Sequence, residues 1–333
     1  MRILITGATG FLGIKTLEFF ANHPEFDHII ATGRTLTPDR KVIKDHVAYQ
    51  LGELSDSDFV TSLFTNHIDI VINCVSLSSP WGSYEEFYNA NVVTQQLLIE
   101  QCIKHDVHRF IYISSPSVYL KFKDQFDVTE ETPLPNHLVN DYARTKLEAE
   151  RLLENSGLTY ITLRPRALVG AGDTVIMPRL VRSYEEGKLK IMGSGKNLVD
   201  LTPVSNMVDA IFLATQATKD ACNEVYNIAN GQPIQLWQAI NQILKKIGYA
   251  PIAKKIPYWL LMTVATLMEF TAKYFRGNKE PILTRYSVGV LAHSFTLNIN
   301  KAKIKLHYKP RQTVQEAMNE FANWYKLQKD GNC

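Results

Sequence analysis

Tyr142 and Lys146 stand four residues apart in Tyr142-Ala143-Arg144-Thr145-Lys146, a spacing that puts both on one face of a helix. A phenol ordinarily titrates near ~10, and a neighbouring ammonium favours its ionised form. Such a pair can hand a proton to a forming alkoxide or take one from an alcohol. Upstream, Ser114-Ser115 can add a hydroxyl that polarises the same oxygen, as an oxyanion donor does. A Tyr/Lys pair at this spacing also arises by chance as an exposed helix pair. Its meaning depends on where the fold puts it.

A second set of residues speaks to a ligand. Gly7-Ala8-Thr9-Gly10-Phe11-Leu12-Gly13 lies between a short apolar run, 2–6, and a stretch of helical spacing, 11–22. Glycine is needed there for a tight turn, for close approach of backbone N–H groups to a pyrophosphate, and for packing helix on strand. The helix N-terminus then adds unpaired donors and partial positive charge. The spacing is GxxGxxG, not the commoner GxGxxG, and the strand-before, helix-after context is what separates it from an ordinary glycine-rich turn. At the end of the next strand an NAD reader carries Asp or Glu for the ribose 2′-OH. Here the residues are Ala31-Thr32-Gly33-Arg34, and Arg34 can grip a 2′-phosphate with its planar fork. NADP is therefore the expected cofactor, with NAD as the alternative.

The elements that must carry these residues alternate in the first half. Strands are expected at 28–32, 47–51, 69–75 and 109–114, with helices at 56–65, 84–105 and 141–155 and a further strand at 160–163. That alternation argues for βαβ units and a parallel sheet, with Ser115 at a strand's carboxyl end, where ligands sit. Past Pro165 the chain is punctuated by Gly170, Gly172, Gly187, Gly193 and Gly195, with helices expected at 237–246, 258–274 and 314–325. The expected division is 1–165 for a dinucleotide-binding domain and 166–330 for a mainly substrate-binding one, some of whose elements return to the first sheet.

With 45% hydrophobic and 21% charged residues, the 333-residue chain has material for a substantial core. A net charge of +3 without a Lys/Arg block argues against nucleic acid as a partner. Cys74, Cys102, Cys222 and Cys333 are scattered, as reduced thiols of a cytoplasmic protein would be. No signal peptide is expected. The apolar segment 256–270 is shorter than the ~20 residues a transmembrane helix needs, which leaves peripheral membrane contact open. His105 and His108 have no companion ligands, so no metal is expected. Asp124, Asp127, Glu130 and Glu131 read as a solvated acidic loop.

Gly7/Gly10/Gly13, the Ser-Ser-Pro-Ser-Val-Tyr run at 114–119, Tyr142xxxLys146 and Leu163-Arg164-Pro165 together resemble the extended short-chain dehydrogenase/reductase family. Within it, the chain is most similar to the 3β-hydroxysteroid dehydrogenase-like branch. The resemblance covers nearly the whole chain. It implies an α/β fold, a Rossmann-type doubly wound parallel sheet with a smaller mixed α/β C-terminal substrate domain, and a homodimer formed through helices 84–105 and 141–155. It also implies Ser115, Tyr142 and Lys146 as the catalytic trio, with Tyr142 and Lys146 touching the cofactor too. Further cofactor contacts are expected from Gly7, Thr9, Gly10, Phe11, Leu12, Gly13 and Arg34. Glu53-Leu54 would meet adenine, with Glu where Asp is usual, Cys74-Val75-Ser76 would pass under the cofactor, and Pro165, Ala167 and Leu168 would lie near the nicotinamide. Ser79, Trp81, Ser115 and Arg166 are the candidate substrate contacts.

The family's nucleotide-sugar branch resembles RPxNxYG after its Arg-Pro and carries an Arg before a later Asp. Here Arg164-Pro165-Arg166-Ala167-Leu168-Val169-Gly170 lacks both Asn and Tyr, and Val199 precedes Asp200. Losing a charged clamp on a dianionic substrate is expensive, although Arg166 could compensate in part. The favoured reading is a ketone/secondary-alcohol oxidoreductase for a small, largely apolar molecule: sterol-like, terpenoid, phenolic or a β-keto lipid. A nucleotide-sugar epimerase/dehydratase is the first alternative. A non-catalytic NADP-binding sensor is the second, disfavoured because such proteins often lose the tyrosine or the lysine. Helix 258–274 is expected as a substrate roof, a membrane-surface element or core.

Overall fold

The structure is a computed structural model that describes residues 1–330, so Cys333 lies outside the described residues. In chain order the first half runs β1 (Arg2–Thr6), α1 (Phe11–Phe20), β2 (His28–Gly33), β3 (Val47–Leu51), α2 (Ser57–Ser62), β4 (Ile70–Asn73), α3 (Tyr84–Tyr88), α4 (Thr94–Lys104), β5 (Arg109–Ile113), β6 (Gln125–Val128), α5 (Asp141–Glu154) and β7 (Tyr160–Pro165). The second half continues with β8 (Leu168–Val169), α6 (Met177–Glu185), β9 (Ile191–Met192), β10 (Leu198–Val199), β11 (Thr202–Pro203), α7 (Val204–Thr215), β12 (Glu224–Ile228), β13 (Ile234–Gln235) and α8 (Leu236–Lys246). Then come β14 (Lys255–Ile256), α9 (Tyr258–Phe275), α10 (Arg285–Ala292), β15 (Phe295–Leu297), α11 (Asn300–Lys305) and α12 (Val314–Asp330).

Seven parallel strands build the main sheet in the order β3-β2-β1-β4-β5-β7-β12. Both faces are covered, which is why its central strands are unbroken apolar runs such as Ile70-Val71-Ile72. Leu17 and Phe20 of α1 pack with Met207 and Ile211 of α7 on one face; Val60, Leu98 and Leu153 of α2, α4 and α5 pack on the other. The strand order reverses between β1 and β4, and this opens the crevice at the carboxyl ends where such sheets bind ligands.

A second layer of smaller pieces stands at that end. Its four-stranded sheet has the order β13-β10-β15-β6. Trp237, Ile240, Met177 and Phe321 from α6, α8 and α12 share a core beside it. The expected acidic loop holds strand β6; Asp124, Asp127 and Glu131 are exposed, as expected, while Glu130 is half-buried. An Asp124 carboxylate oxygen accepts the Ser294 N–H at 2.7 Å, and Glu130 accepts the Asn227 N–H at 2.6 Å. These carboxylates satisfy backbone donors that the short strands leave over.

The single helix expected over 84–105 is also interrupted. Asn89–Val93 form a π-turn between α3 and α4, and Asn91 is buried within it. Such bulges accompany functional sites. Among the described residues no helix is long and apolar enough to cross a membrane.

Candidate active site

The glycine turn leaves no room for side chains. Gly7 has φ +66°, and a Cβ on Gly13 would stand 1.9 Å from the Gly7 carbonyl oxygen. The Gly10 N–H bonds that same oxygen at 2.9 Å, and Gly10 caps α1 without a side-chain acceptor. The first-turn N–H groups of α1 therefore face outward without a capping side chain, a cradle that suits a pyrophosphate. A Cβ on Gly33 would come within 2.3 Å of the Thr9 hydroxyl, so the end of β2 presses on the turn. Arg34, just beyond, is exposed and forms no ion pair among the described residues. Glu53 is exposed and Leu54 buried. Sequence reasoning missed Arg40, whose guanidinium donates to the Thr9 carbonyl at 2.9 Å and holds the turn from the loop after β2.

Beneath the crevice a polar chain ties the sheet together. The Thr6 hydroxyl donates to Asn73 Oδ1 at 2.7 Å, and Asn73 Nδ2 donates to Gln95 Oε1 at 2.6 Å. The Val75 N–H also reaches Asn73 Oδ1, at 3.1 Å. Asn91 then pins the following residues: its Oδ1 accepts the Leu77 N–H at 2.9 Å while its Nδ2 donates to the Thr145 hydroxyl at 3.1 Å. Cys74 to Ser76 are thus held between β4 and α5. Burial pushes the Cys74 thiol up to about 12, which disfavours a thiolate there. Asn91 was also missed; its position inside an otherwise regular helical pattern was the available signal.

At the head of α5, the Asn140 side chain accepts the Ala143 N–H at 2.9 Å and fixes the first turn. Tyr142 is 8% exposed, packs its ring 6.1 Å from that of Phe87, and has no partner for its hydroxyl among the described residues. Lys146, one turn on, is 0% exposed. Its Nζ donates to the Ile113 carbonyl at the end of β5, 2.7 Å away, and lies 4.2 Å over the Tyr112 ring. Burial pulls its pKa down from 10.5 to about 7, with Glu150 and Cys74 opposing. Two residues beyond Ile113, the Ser115 oxygen accepts the Ser117 N–H at 3.2 Å, which leaves the hydroxyl proton free to be donated. One turn below Lys146, Glu150 takes two hydrogen bonds from the Arg164 guanidinium, one of 2.9 Å, and Arg164 also bonds the Tyr119 hydroxyl. This buried cluster clamps α5 to β7 and to the 3₁₀ turn Pro116–Tyr119 that follows Ser115.

The facing wall comes from the second half and from the loop after β4. Trp81 donates its indole N–H to the Asn278 carbonyl at 2.9 Å, and Ser79 donates to the Trp81 carbonyl at 2.8 Å. The one polar atom of the Trp81 ring is therefore already bonded, and the ring has apolar surface alone to offer. Pro165 and Leu168 are half-buried beside Ala167, which has φ +34°, an uncommon conformation for a residue with a Cβ. Arg166 is buried against the Phe295 ring, 5.1 Å from its centroid. Helix α9 is not a plain core helix: Leu261, Ala265 and Ala272 face inward, but Trp259 is 69% and Phe275 76% exposed. Among the described residues no cluster of three metal-ligating side chains exists, and His105 and His108 stand outside the site.

Comparison with known proteins identifies the family. A model of the NAD dependent epimerase/dehydratase family matches residues 3–229. The chain is 32% identical to the uncharacterized protein YbjS of Escherichia coli, over 98% of each chain. It is 29% identical to a 2-alkyl-3-oxoalkanoate reductase of Stenotrophomonas maltophilia, over 96% of this chain and 97% of that one. It is 30% identical to a decarboxylating sterol-4-alpha-carboxylate 3-dehydrogenase of Candida albicans, over 97% of each. Among solved structures, a UDP-glucuronic acid 4-epimerase of Bacillus cereus in complex with NAD superposes with a TM-score of 0.76 at 21% identity, over 98% of this chain and 99% of that one. At that identity the likeness speaks for the fold.

Proposed function

Since the chain belongs to the NAD-dependent epimerase/dehydratase family and is an NAD(P)-dependent oxidoreductase, we propose that it interconverts a ketone and a secondary alcohol on a largely apolar small molecule, with NADP preferred. The observation that carries this reading is the Tyr142 hydroxyl, unbonded and nearly buried, one turn from an ammonium anchored at the end of the strand that leads to Ser115.

When bound, the dinucleotide supplies or accepts the hydride. Gly7, Thr9, Gly10, Phe11, Leu12 and Gly13 would hold its pyrophosphate, Arg34 a 2′-phosphate, and Glu53 and Leu54 the adenine. Cys74 to Ser76 and Pro165, Ala167 and Leu168 would flank the nicotinamide. In reduction Tyr142 gives its phenolic proton to the substrate oxygen while Ser115 donates a hydrogen bond to it. A charged Lys146 lowers the cost of the tyrosinate left behind. In oxidation the same groups run in reverse. Burial of Lys146 strengthens its electrostatic effect on the phenol.

The apolar character of the substrate is supported by the Trp81 ring and the lipid-like substrates named for the two relatives. The same reading assigns the dinucleotide to 1–165 and mainly the substrate to 166–330. It includes a homodimer through the α3–α4 stretch and α5, with α9 in peripheral contact with a membrane surface, and a cytoplasmic setting, which the free Cys74, Cys102 and Cys222 suit. The test is NADPH consumption by the purified protein with a panel of lipophilic ketones. Turnover that disappears in Tyr142→Phe supports the proposal; turnover confined to UDP- or GDP-sugars overturns it.

A further inference from the structure

Helix α9 has two apolar faces, and the fold covers one of them. Successive residues of a helix turn by about 100°, so Leu261, Ala265 and Ala272 share the side that packs inward. Trp259, Leu267, Phe270 and Tyr274 fall within an arc of roughly 80° on the far side, and each is more than half exposed, as is Phe275. The Phe270 ring centroid stands 4.8 Å from that of Tyr274 and 6.2 Å from that of Phe275, so the patch is continuous. Single exposed apolar residues are ordinary, whereas a continuous apolar face marks a surface that something covers. Thr263 and Thr266, on the same face, donate their hydroxyls to the Trp259 and Met262 carbonyls at 3.0 and 2.8 Å. These donors are satisfied within the helix, as an apolar surrounding demands.

Charge at the ends of this face says what covers it. Between 254 and 279 the chain has five cations, Lys254, Lys255, Lys273, Arg276 and Lys279, all exposed, against one carboxylate, Glu269. Glu269 is committed to Arg285, whose backbone N–H and Nε donate to it at 2.7 and 2.6 Å. The next carboxylate, Glu280, pairs with Arg179 at 2.9 Å. An apolar strip with aromatic rings and cations at both ends complements acyl chains bordered by anionic headgroups. With 18 residues α9 is ~27 Å long, and it is not long and apolar enough to cross a bilayer. We propose that the outer face of α9 docks on a bilayer rich in anionic lipid, the helix lying in the interface plane with its rings among the acyl chains and its five flanking cations at the headgroup phosphates. This deepens the peripheral contact proposed above and rests on that reading. The docked surface ends at the crevice wall, where the Asn278 carbonyl accepts the Trp81 indole N–H.

Flotation of the full chain with vesicles of phosphatidylcholine alone, or of equal parts phosphatidylcholine and phosphatidylglycerol, tests the assignment. The wild type should bind the anionic vesicles at least ~10-fold more strongly than the neutral ones, and less strongly as salt rises. Lys273→Gln, Arg276→Gln and Lys279→Gln combined should weaken anionic binding ~100-fold, about 5-fold for each cation near the surface. Trp259→Ser with Phe275→Ser should abolish binding to either vesicle and leave the melting temperature unchanged, since both rings already face water. Equal wild-type binding to the two vesicles, or a triple variant that binds as the wild type does, overturns the anionic-lipid assignment and leaves the peripheral contact standing. Binding to neither vesicle overturns both. If the free protein then forms a dimer that Trp259→Ser with Phe275→Ser abolishes, the face belongs to a second copy and the bilayer assignment falls. NADPH turnover of a water-soluble ketone, read on the same samples, keeps the oxidoreductase reading separate from these outcomes.

Discussion

Lys146 has one carbonyl and one aromatic ring for company in a site with 0% exposure, and its pKa falls from 10.5 to about 7. A methionine there would fill nearly the same volume without a charge to desolvate. Because the folded pKa lies below the unfolded one, the folded protein binds fewer protons than the unfolded chain between about 7 and 10.5. The penalty is therefore fully present below pH 7 and shrinks as pH rises toward 10.5. Converted at 1.36 kcal/mol per pH unit, it amounts to ~5 kcal/mol at pH 6 and ~2 kcal/mol at pH 9. Lys146→Met in the cofactor-free protein should thus be more stable than wild type at pH 6, with an advantage that shrinks by ~2–3 kcal/mol at pH 9. Denaturant unfolding of both proteins across that range measures it, and subtracting the two curves removes the titrating groups that do not sense Lys146. The same substitution should cost ~100-fold or more in kcat, since the tyrosinate loses its counter-charge. A pH-independent difference between the two proteins would show that Lys146 titrates normally and would refute the argument.

Gly13→Ala should lower the melting temperature and weaken dinucleotide binding, by about 1–3 kcal/mol in stability, because the new methyl meets the Gly7 carbonyl oxygen; calorimetry and cofactor fluorescence titration check both. Arg34→Ala should weaken NADPH binding ~10-fold or more and leave NADH alone; equal effects on the two cofactors would remove Arg34 from the cofactor assignment. Glu150→Gln should destabilise the fold by about 3–5 kcal/mol, since it strands the buried Arg164 charge; urea unfolding that shifts by less than ~1 kcal/mol would show the cluster to be dispensable.

The glycine turn and the Tyr142/Lys146 pair were legible because each is a local pattern whose geometry follows from chain spacing: Gly13 must lack a Cβ wherever a strand turns into α1, and residues four apart share a helix face. The parallel sheet was legible from its uninterrupted apolar strands. What escaped depends on contacts distant in sequence. Arg40 reaches back 31 residues to Thr9, and the Trp81 indole finds Asn278 across 197 residues. The backbone contacts of Asp124 and Glu130 were not legible because their partners, Ser294 just before β15 and Asn227 in β12, are brought near only by the tertiary fold. Asn91 was hidden by the helical pattern around it, since a π-turn has no composition of its own.

The central claim is that Tyr142 and Lys146 serve net hydride transfer to a carbonyl. The most direct test is to supply NADPH carrying deuterium at the nicotinamide carbon that transfers, together with the lipophilic ketones of the panel, and to analyse the product by mass spectrometry. One deuterium at the new carbinol carbon, absent when Tyr142→Phe is used, is the expected result. Label retained on the cofactor while the substrate merely changes configuration would contradict the account.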